Sequence, residues 1–305
     1  MKYIIRKSDL NDVPEIEISE EYYEVYKESR SILLNCLAIE EGYEILISNY
    51  LDLEKQILDT AMFHMMHGYL SYSDFFNVQL ALNIRLVNLL TSSRLYVDHL
   101  PQHVKECIPY RDDVKALVKS ILKKEYDENY EYRFMDALRN SVQHCGLPVH
   151  WTSSGAEWTD LENNGLNKDS MLEYSMEFAA RKSSLKEDGG FKKAVLNESP
   201  DKVDLKATTR GYIESLSKVH ETVRELIQES VQKSRLKLED AHGQYSKIYS
   251  ESLVGLCACK TDDQGIIETV LLMLDWDNVR VELQKRNRKL TNLRKWYVTG
   301  KVKKS

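Results

Sequence analysis

Arg139, Asn140 and His144 are the residues whose types and spacing most readily do chemistry in this chain. Asn140 and His144 stand four apart, which on a helix puts them on one face and within touching distance. An amide in that position can fix the orientation of an imidazole ring. Arg139 precedes His144 by five positions, about 140° around a helix axis, so the two flank a polar face. A long guanidinium side chain can still curl towards a phosphate shared with the ring, or meet one held between two copies of the helix. Histidine accepts or donates a proton near neutral pH, and arginine grips phosphate oxygens with a planar, two-pronged donor set. This set suits cleavage of RNA without a metal. The ribose 2′-OH attacks the adjacent phosphorus, a base takes its proton, an acid protonates the leaving 5′-oxygen, and a cation stabilises the crowded phosphorus centre. The reaction has two proton transfers and one chain offers one such histidine, so a two-fold dimer would supply the full set.

These residues need a helix that stops in the right place. Tyr130, Phe134, Ala137, Leu138, Ser141 and Cys145 recur at spacings of three and four, forming one apolar or small-residue stripe. Arg133, Asp136, Asn140 and Gln143 lie away from it. Gly146 as the residue after the cap, followed by Pro148, ends the helix near His144 or Cys145. His144 then sits in the last turn, where the partial negative charge of the helix end attracts a cation.

In that setting R-N-x-x-x-H resembles the signature of the HEPN superfamily (higher eukaryotes and prokaryotes nucleotide-binding): an arginine, a polar residue, three more residues and a histidine closing an amphipathic helix. Arg139, Asn140 and His144 match it position by position. The match covers this helix end and the helices before it; beyond Trp151 nothing specific is similar. The resemblance implies a mainly α fold, a HEPN-like helical bundle that is usually dimeric. It implies a metal-independent endoribonuclease with its cleft at the dimer interface, acting as a toxin of a toxin–antitoxin pair, as an antiphage or abortive-infection effector, or in RNA processing. The implied partners are an RNA substrate, a second copy of the chain in a homodimer, and an antitoxin or defence-system protein; no cofactor and no metal is implied. The alternative is a non-catalytic helical interaction or nucleotide-binding module in which the motif only organises the dimer. An ordinary structural role also exists for each residue: His144 bonding the last carbonyls, and Arg139 pairing with Asp136. A second Arg-x4-His runs from Arg94 to His99, but Leu95 follows its arginine and it reads as a helix end before a turn at Pro101.

Composition sets the scaffold. The 305 residues are 42% hydrophobic and 30% charged, ample for a large core. With only 12 glycines and 5 prolines, helices are favoured over a turn-rich β fold. A net charge of −6 excludes a generic polyanion binder, so any RNA contact must be a local basic patch. Five scattered cysteines provide no disulfide framework and fit a reducing, cytoplasmic setting. The apolar core of MKYIIRKSDLN is too short for a signal peptide, and no apolar run spans a bilayer, so no membrane partner is expected.

Along the chain, three regions are expected: a helical bundle over 1–150 ending in the motif helix, a polar and short-strand region over 151–200, and further C-terminal helices with a basic tail over 201–305. A short strand is expected at Tyr3–Ile5, one helix from Ser19 through Leu37 and another from Glu41 to His67, with Gly68 as its C-terminal stop. His64 and His67 have metal-compatible spacing but no acidic partner in a zincin pattern. Asp74 to Val97 reads as the most buried helix, and Pro101 and Pro109 bracket a connection to a helix at Val114–Leu122. Trp151 to Ser170 reads as a loop; alternation at Tyr174, Met176 and Phe178 favours a strand; Asp204 to Ala241 reads as a long helix. Cys257 and Cys259 lack a second metal-ligand pair. The C-terminus is basic, with Arg280, Lys285 and Arg286 and then Arg288, Lys289, Arg294 and Lys295 as the RNA-contacting candidates, Trp296 and Tyr297 beside them, and Lys301, Lys303 and Lys304 beyond. No P-loop, dinucleotide-binding glycine motif or G-x-S-x-G is present.

Overall fold

A computed structural model describes residues 1–8, 13–68, 71–159, 161–162, 165–166, 170–249 and 253–300. The chain is mainly helical with small antiparallel sheets. In order it forms β1 (Lys2–Lys7), β2 (Ile16–Ile18), α1 (Glu20–His67), α2 (Tyr72–Cys107), α3 (Val114–Glu128), α4 (Tyr130–His144), β3 (Trp151–Trp158), β4 (Leu161–Glu162), β5 (Gly165–Leu166) and β6 (Leu172–Arg181). Then come α5 (Lys182–Glu187), α6 (Lys193–Glu198), β7 (Lys202–Asp204), α7 (Leu205–Ser246), β8 (Leu256–Asp262), β9 (Gly265–Leu271), α8 (Asp275–Arg286) and a 3-10 turn at Leu293–Lys295. Lys301, Lys303 and Lys304 lie outside the described residues. No helix among the described residues is long and apolar enough to cross a membrane.

Local sequence explains the helix ends. Ser19 Oγ accepts the Tyr22 N–H at 3.2 Å, and Glu20 and Glu21 occupy the positive first turn of α1. Gly68, at φ +70°, donates its N–H to the His64 carbonyl at 2.9 Å and closes the helix. Ser71 and Asp74 cap α2 reciprocally: Asp74 Oδ2 accepts from Ser71 N–H and Oγ at 2.8 and 2.6 Å, and Ser71 Oγ accepts the Asp74 N–H at 3.2 Å.

Four expectations are corrected. α1 is one 48-residue helix, not two. It continues through Gly42, where an added Cβ would lie 3.4 Å from Tyr96 Cδ2, an ordinary contact distance. α2 continues through Pro101, which is buried, so the Arg94–His99 segment is helix interior and not a helix end before a turn. Only one stripe of α2 is buried: Leu82, Leu86 and Leu89 are inaccessible, whereas Leu80 and Ile84 are 41% and 46% exposed. Residues 151–158 form β3 rather than loop, pairing antiparallel with β6 from Trp151↔Ala179 to Trp158↔Leu172.

The chain clusters into two compact units that interleave segments of sequence: residues 1–44, 96–121 and 220–288, and residues 45–95, 122–219 and 289–305. The first holds a four-stranded antiparallel sheet in the order β2-β1-β8-β9. Ile5 and its register partner Ala258 are both fully buried. Its helical core contains a polar knot. Glu40, with no exposed surface, takes Arg224 Nε and Nη2 at 2.9 and 2.6 Å, while His220 bridges Tyr96 OH at 2.8 Å and Glu40 at 3.3 Å. Burial opposes the Glu40 charge, but hydrogen bonds from His220 and Arg224 outweigh it and hold the carboxyl at about 2. Burial also pulls His220 below its ordinary value, against the attraction of Glu40. A neutral ring then donates Nε2–H to Glu40 and accepts the Tyr96 hydroxyl at Nδ1.

The second unit carries α4. Its sheet runs β3-β6-β7, with Phe178 and Ala179 of β6 buried. Arg210 of α7 grips Glu54 of α1 at 2.7 and 2.8 Å, a partly buried bidentate pair.

Candidate functional site

α4 forms because its stripe has something to bury against. Tyr132, Phe134, Met135, Ala137, Leu138 and Ser141 are buried. Phe134 meets the Phe191 ring at 5.3 Å between centroids, and Tyr132 meets Tyr212 edge-on at 5.1 Å. Arg133 grips Glu198 of α6 at 3.0 and 2.9 Å, and Tyr130 OH donates to Ser199 Oγ at 2.9 Å. With these anchors the helix runs from Tyr130 to His144, and Cys145 N–H closes it onto the Ser141 carbonyl at 2.8 Å. Gly146 is not left-handed. An added Cβ there would stand 2.9 Å from Oδ2 of the exposed Asp188 side chain, which would have to swing aside.

The motif residues divide by environment. Asn140 and His144 are exposed, and Arg139 is half-buried. Arg139 Nη1 donates to Asn140 Oδ1 at 3.0 Å. The Asn140 carbonyl oxygen is therefore engaged by arginine, and no hydrogen bond joins Asn140 to His144 among the described residues. Arg139 Nε is buried and has no hydrogen-bond partner among them. Asp136, the acid available three residues earlier, lies 3.8 Å from Arg94 of α2. Arg94 and Arg139 both act on the buried Tyr212 hydroxyl. Burial drives that group far up, and the Ser93 hydrogen bond and the two guanidinium groups oppose the rise.

The basic C-terminus is divided between fold and surface. Arg280 is corrected: it is buried, with Nε and Nη2 on Asp277, and belongs to the core of its unit. Lys285 pairs with Glu282 at 2.8 Å and Arg286 with Glu44 at 2.7 Å. Arg294 is exposed yet ion-paired with Glu131 of α4, and its guanidinium lies over Gly211. Arg288, Lys289 and Lys295 are exposed. His64 stacks edge-on against Tyr174 at 5.5 Å and His67 meets Phe63 at 4.5 Å. Among the described residues no group of three or more His, Cys, Asp or Glu side chains has metal-ligand geometry. Cys257 and Cys259 face each other at 3.5 Å beside Ile4 and Leu271, and the Cys257 hydrogen bond brings the Cys259 thiol down to about 6.

A cavity of about 430 Å³ opens just past the end of α4. Gly146, Leu147, Val149 and His150 form one wall, Phe76, Gln79, Leu80 and Asn83 of α2 another, and Ser184 and Asp188 a third. Gln79 Nε2 donates to the Val149 carbonyl at 2.7 Å and Asn83 Oδ1 accepts the Val149 N–H at 2.8 Å, so two α2 amides fix the segment that follows the motif. Sequence reasoning missed this site. The signal was the α2 face itself, with apolar Phe76 and Leu80 left exposed and an amide, Asn83, buried at 2% exposure. A scan of protein-family models finds no match to the chain, and no curated protein or solved structure matches it.

Proposed function

We propose that this chain is a HEPN-like, metal-independent endoribonuclease that works as a homodimer and cleaves by 2′-OH attack, leaving 2′,3′-cyclic phosphate ends. His144 is the proton-transfer residue, Arg139 the cation for the phosphorus centre, and Asn140 the residue that orients the arginine. The observation that carries the reading is the state of Arg139. It makes no ion pair among the described residues, its Nε is buried without a partner, and Asn140 holds Nη1 beside the exposed turn that ends in His144. A structural arginine in this place would take Asp136, three residues earlier on the same helix; Asp136 lies against Arg94 instead. A guanidinium that no carboxylate neutralises keeps its charge, and the Nη donors that Asn140 does not take, for an anionic substrate.

A biological role as a toxin or antiphage effector, acting in the cytoplasm under an antitoxin or defence-system partner, follows from the same resemblance. Arg288, Lys289 and Lys295 are the exposed cations available to track an RNA backbone, with Arg294 shared with Glu131. The test is cleavage of total RNA by the purified protein in excess EDTA, with end-group analysis. Cyclic phosphate ends that vanish in both His144→Ala and Arg139→Ala support the assignment. Undiminished cleavage in both variants rejects the site assignment, and no cleavage by the native chain leaves the non-catalytic helical interaction or nucleotide-binding module.

A further inference from the structure

The cavity beyond α4 has no part in the proton chemistry assigned to His144, yet only Cys145 separates His144 from its first wall residue, Gly146. Two residues of extended chain span at most about 7 Å, so anything held in the cavity lies close to the motif.

Its lining is amphipathic. Phe76, Leu80 and Leu147 present apolar surface; Phe76 is 58% exposed and offers an aromatic face at the mouth. The polar groups have defined roles. His150 Nδ1 accepts the Arg181 backbone N–H at 3.2 Å. A backbone amide can only donate, so Nδ1 bears no proton and a neutral ring carries it on Nε2. Burial lowers the His150 pKa, which keeps the ring in that form. Asp188 lies near enough to act on His150 electrostatically and has its carboxylate packed over Gly146. The cavity therefore carries a hydrogen-bond donor on His150 and a two-oxygen acceptor on Asp188, between apolar walls.

This pattern selects among flat, unstacked bases. Single-stranded RNA is read by stacking on aromatic side chains and by hydrogen bonds to base edges. Guanine places two donors side by side, N1–H and N2–H, where a carboxylate can accept both, with O6 and N7 as acceptors on the adjoining edge. Adenine and cytosine set a ring acceptor next to the amino donor, so one carboxylate oxygen would face a lone pair. Uracil flanks its one donor with two carbonyls. The volume, about 430 Å³, is that of a small-ligand site and takes a purine nucleoside.

We propose that the cavity is a guanine subsite, holding the base of a nucleotide beside the scissile phosphate, with Asp188 on the N1–H/N2–H edge, the His150 Nε2–H on O6 or N7, and Phe76 against the ring. It rests on the nuclease reading for its role in cleavage, but the binding of the base is separable from it.

The test uses the full chain and the four nucleosides, which carry no phosphate. Calorimetric titration is expected to show guanosine binding at least tenfold more tightly than adenosine, cytidine or uridine. Asp188→Asn should abolish that preference, Phe76→Ala should weaken guanosine at least fivefold, and His144→Ala should leave guanosine affinity within twofold. Gly146→Ala, which pushes the Asp188 carboxylate away without removing it, should also reduce the preference. No nucleoside binding, equal binding of all four, or an undiminished preference in Asp188→Asn overturns the proposal. The two readings fail separately. RNA cleavage that depends on His144 without any guanosine preference sinks the subsite alone. Guanosine selectivity lost in Asp188→Asn, with no RNA cleavage by the native chain, keeps the base site and sinks the nuclease.

Discussion

Replacing Arg139 with methionine separates a residue that holds the fold from one kept for a substrate. The two side chains have similar helix propensity, so the backbone of α4 contributes little to the difference. In the folded protein Arg139 gives up one hydrogen bond, Nη1 to Asn140 at 3.0 Å, to a residue that is itself exposed. A neutral-acceptor bond of that kind is worth about 0.5–1.5 kcal/mol. Against that, the substitution removes a buried Nε with no partner, a burden of about 1–3 kcal/mol. No ion pair among the described residues is lost. The expected stability change therefore lies between about 0.5 kcal/mol of loss and about 2.5 kcal/mol of gain. Loss of the cation at the phosphorus centre should meanwhile lower single-turnover cleavage by about 10²–10³, the range for removing one preorganised transition-state donor. Urea unfolding followed by far-UV circular dichroism gives the first number and a radiolabelled RNA time course the second. Destabilisation by more than about 2 kcal/mol would make Arg139 a structural residue and refute the reasoning, as would cleavage at the native rate. Stability gained where activity is lost is the usual mark of a residue retained for function.

Three further outcomes follow from packing and charge. Gly190→Ala puts a Cβ onto Cys145 Sγ and should cost about 1–3 kcal/mol; Cys145→Ala leaves only an ordinary contact and should restore native stability, whereas an equal cost in both backgrounds would exclude the clash. Arg224→Met strands the fully buried Glu40 carboxylate and should cost about 3–5 kcal/mol, most of it regained in Glu40→Leu/Arg224→Met, as read from urea midpoints. Glu40 and His220 both titrate below their ordinary values of 4.5 and 6.5 in the folded protein, so the unfolded chain binds more protons as pH falls. The urea midpoint should drop as pH falls below about 6.5 and drop further from 4.5 towards 2, with the lower limb flattened in Arg224→Met; a midpoint constant between pH 7 and 4 would contradict this.

The motif helix was legible because its evidence is local: a stripe at helical spacing, and Pro148 just past the end. Its limits, Tyr130 and His144, agree with the spacing. Other features depended on distant partners. The sequence reads as two helices divided between Leu37 and Glu41, but Glu40 in that gap is buried on Arg224, 184 positions later, and helix pattern alone does not reveal such a pair. Pro101 reads as a stop because proline removes a helical hydrogen bond, yet the buried packing of α2 carries the helix past it. β3 gave no alternating apolar signal because none of its residues is fully buried; its register comes from β6. Arg280 looked like part of a basic surface although Asp277, one turn before it, takes its guanidinium into the core. The cavity drew on three stretches separated by some seventy and thirty-five positions, with no spacing pattern to unite them.

The interleaving of the two units has a consequence for synthesis. Once residue 219 has left the ribosome, the unit bearing Arg139 and His144 lacks only residues 289–305, whereas its companion still awaits the stretch from 220 to 288. A nascent chain stalled near residue 150 would display the motif without β6, α5 and α7, the strand and helices that complete its unit. Premature release at that point would yield a fragment whose motif-bearing unit is incomplete, and the order of translation itself delays the moment at which Arg139 and His144 sit in a finished unit.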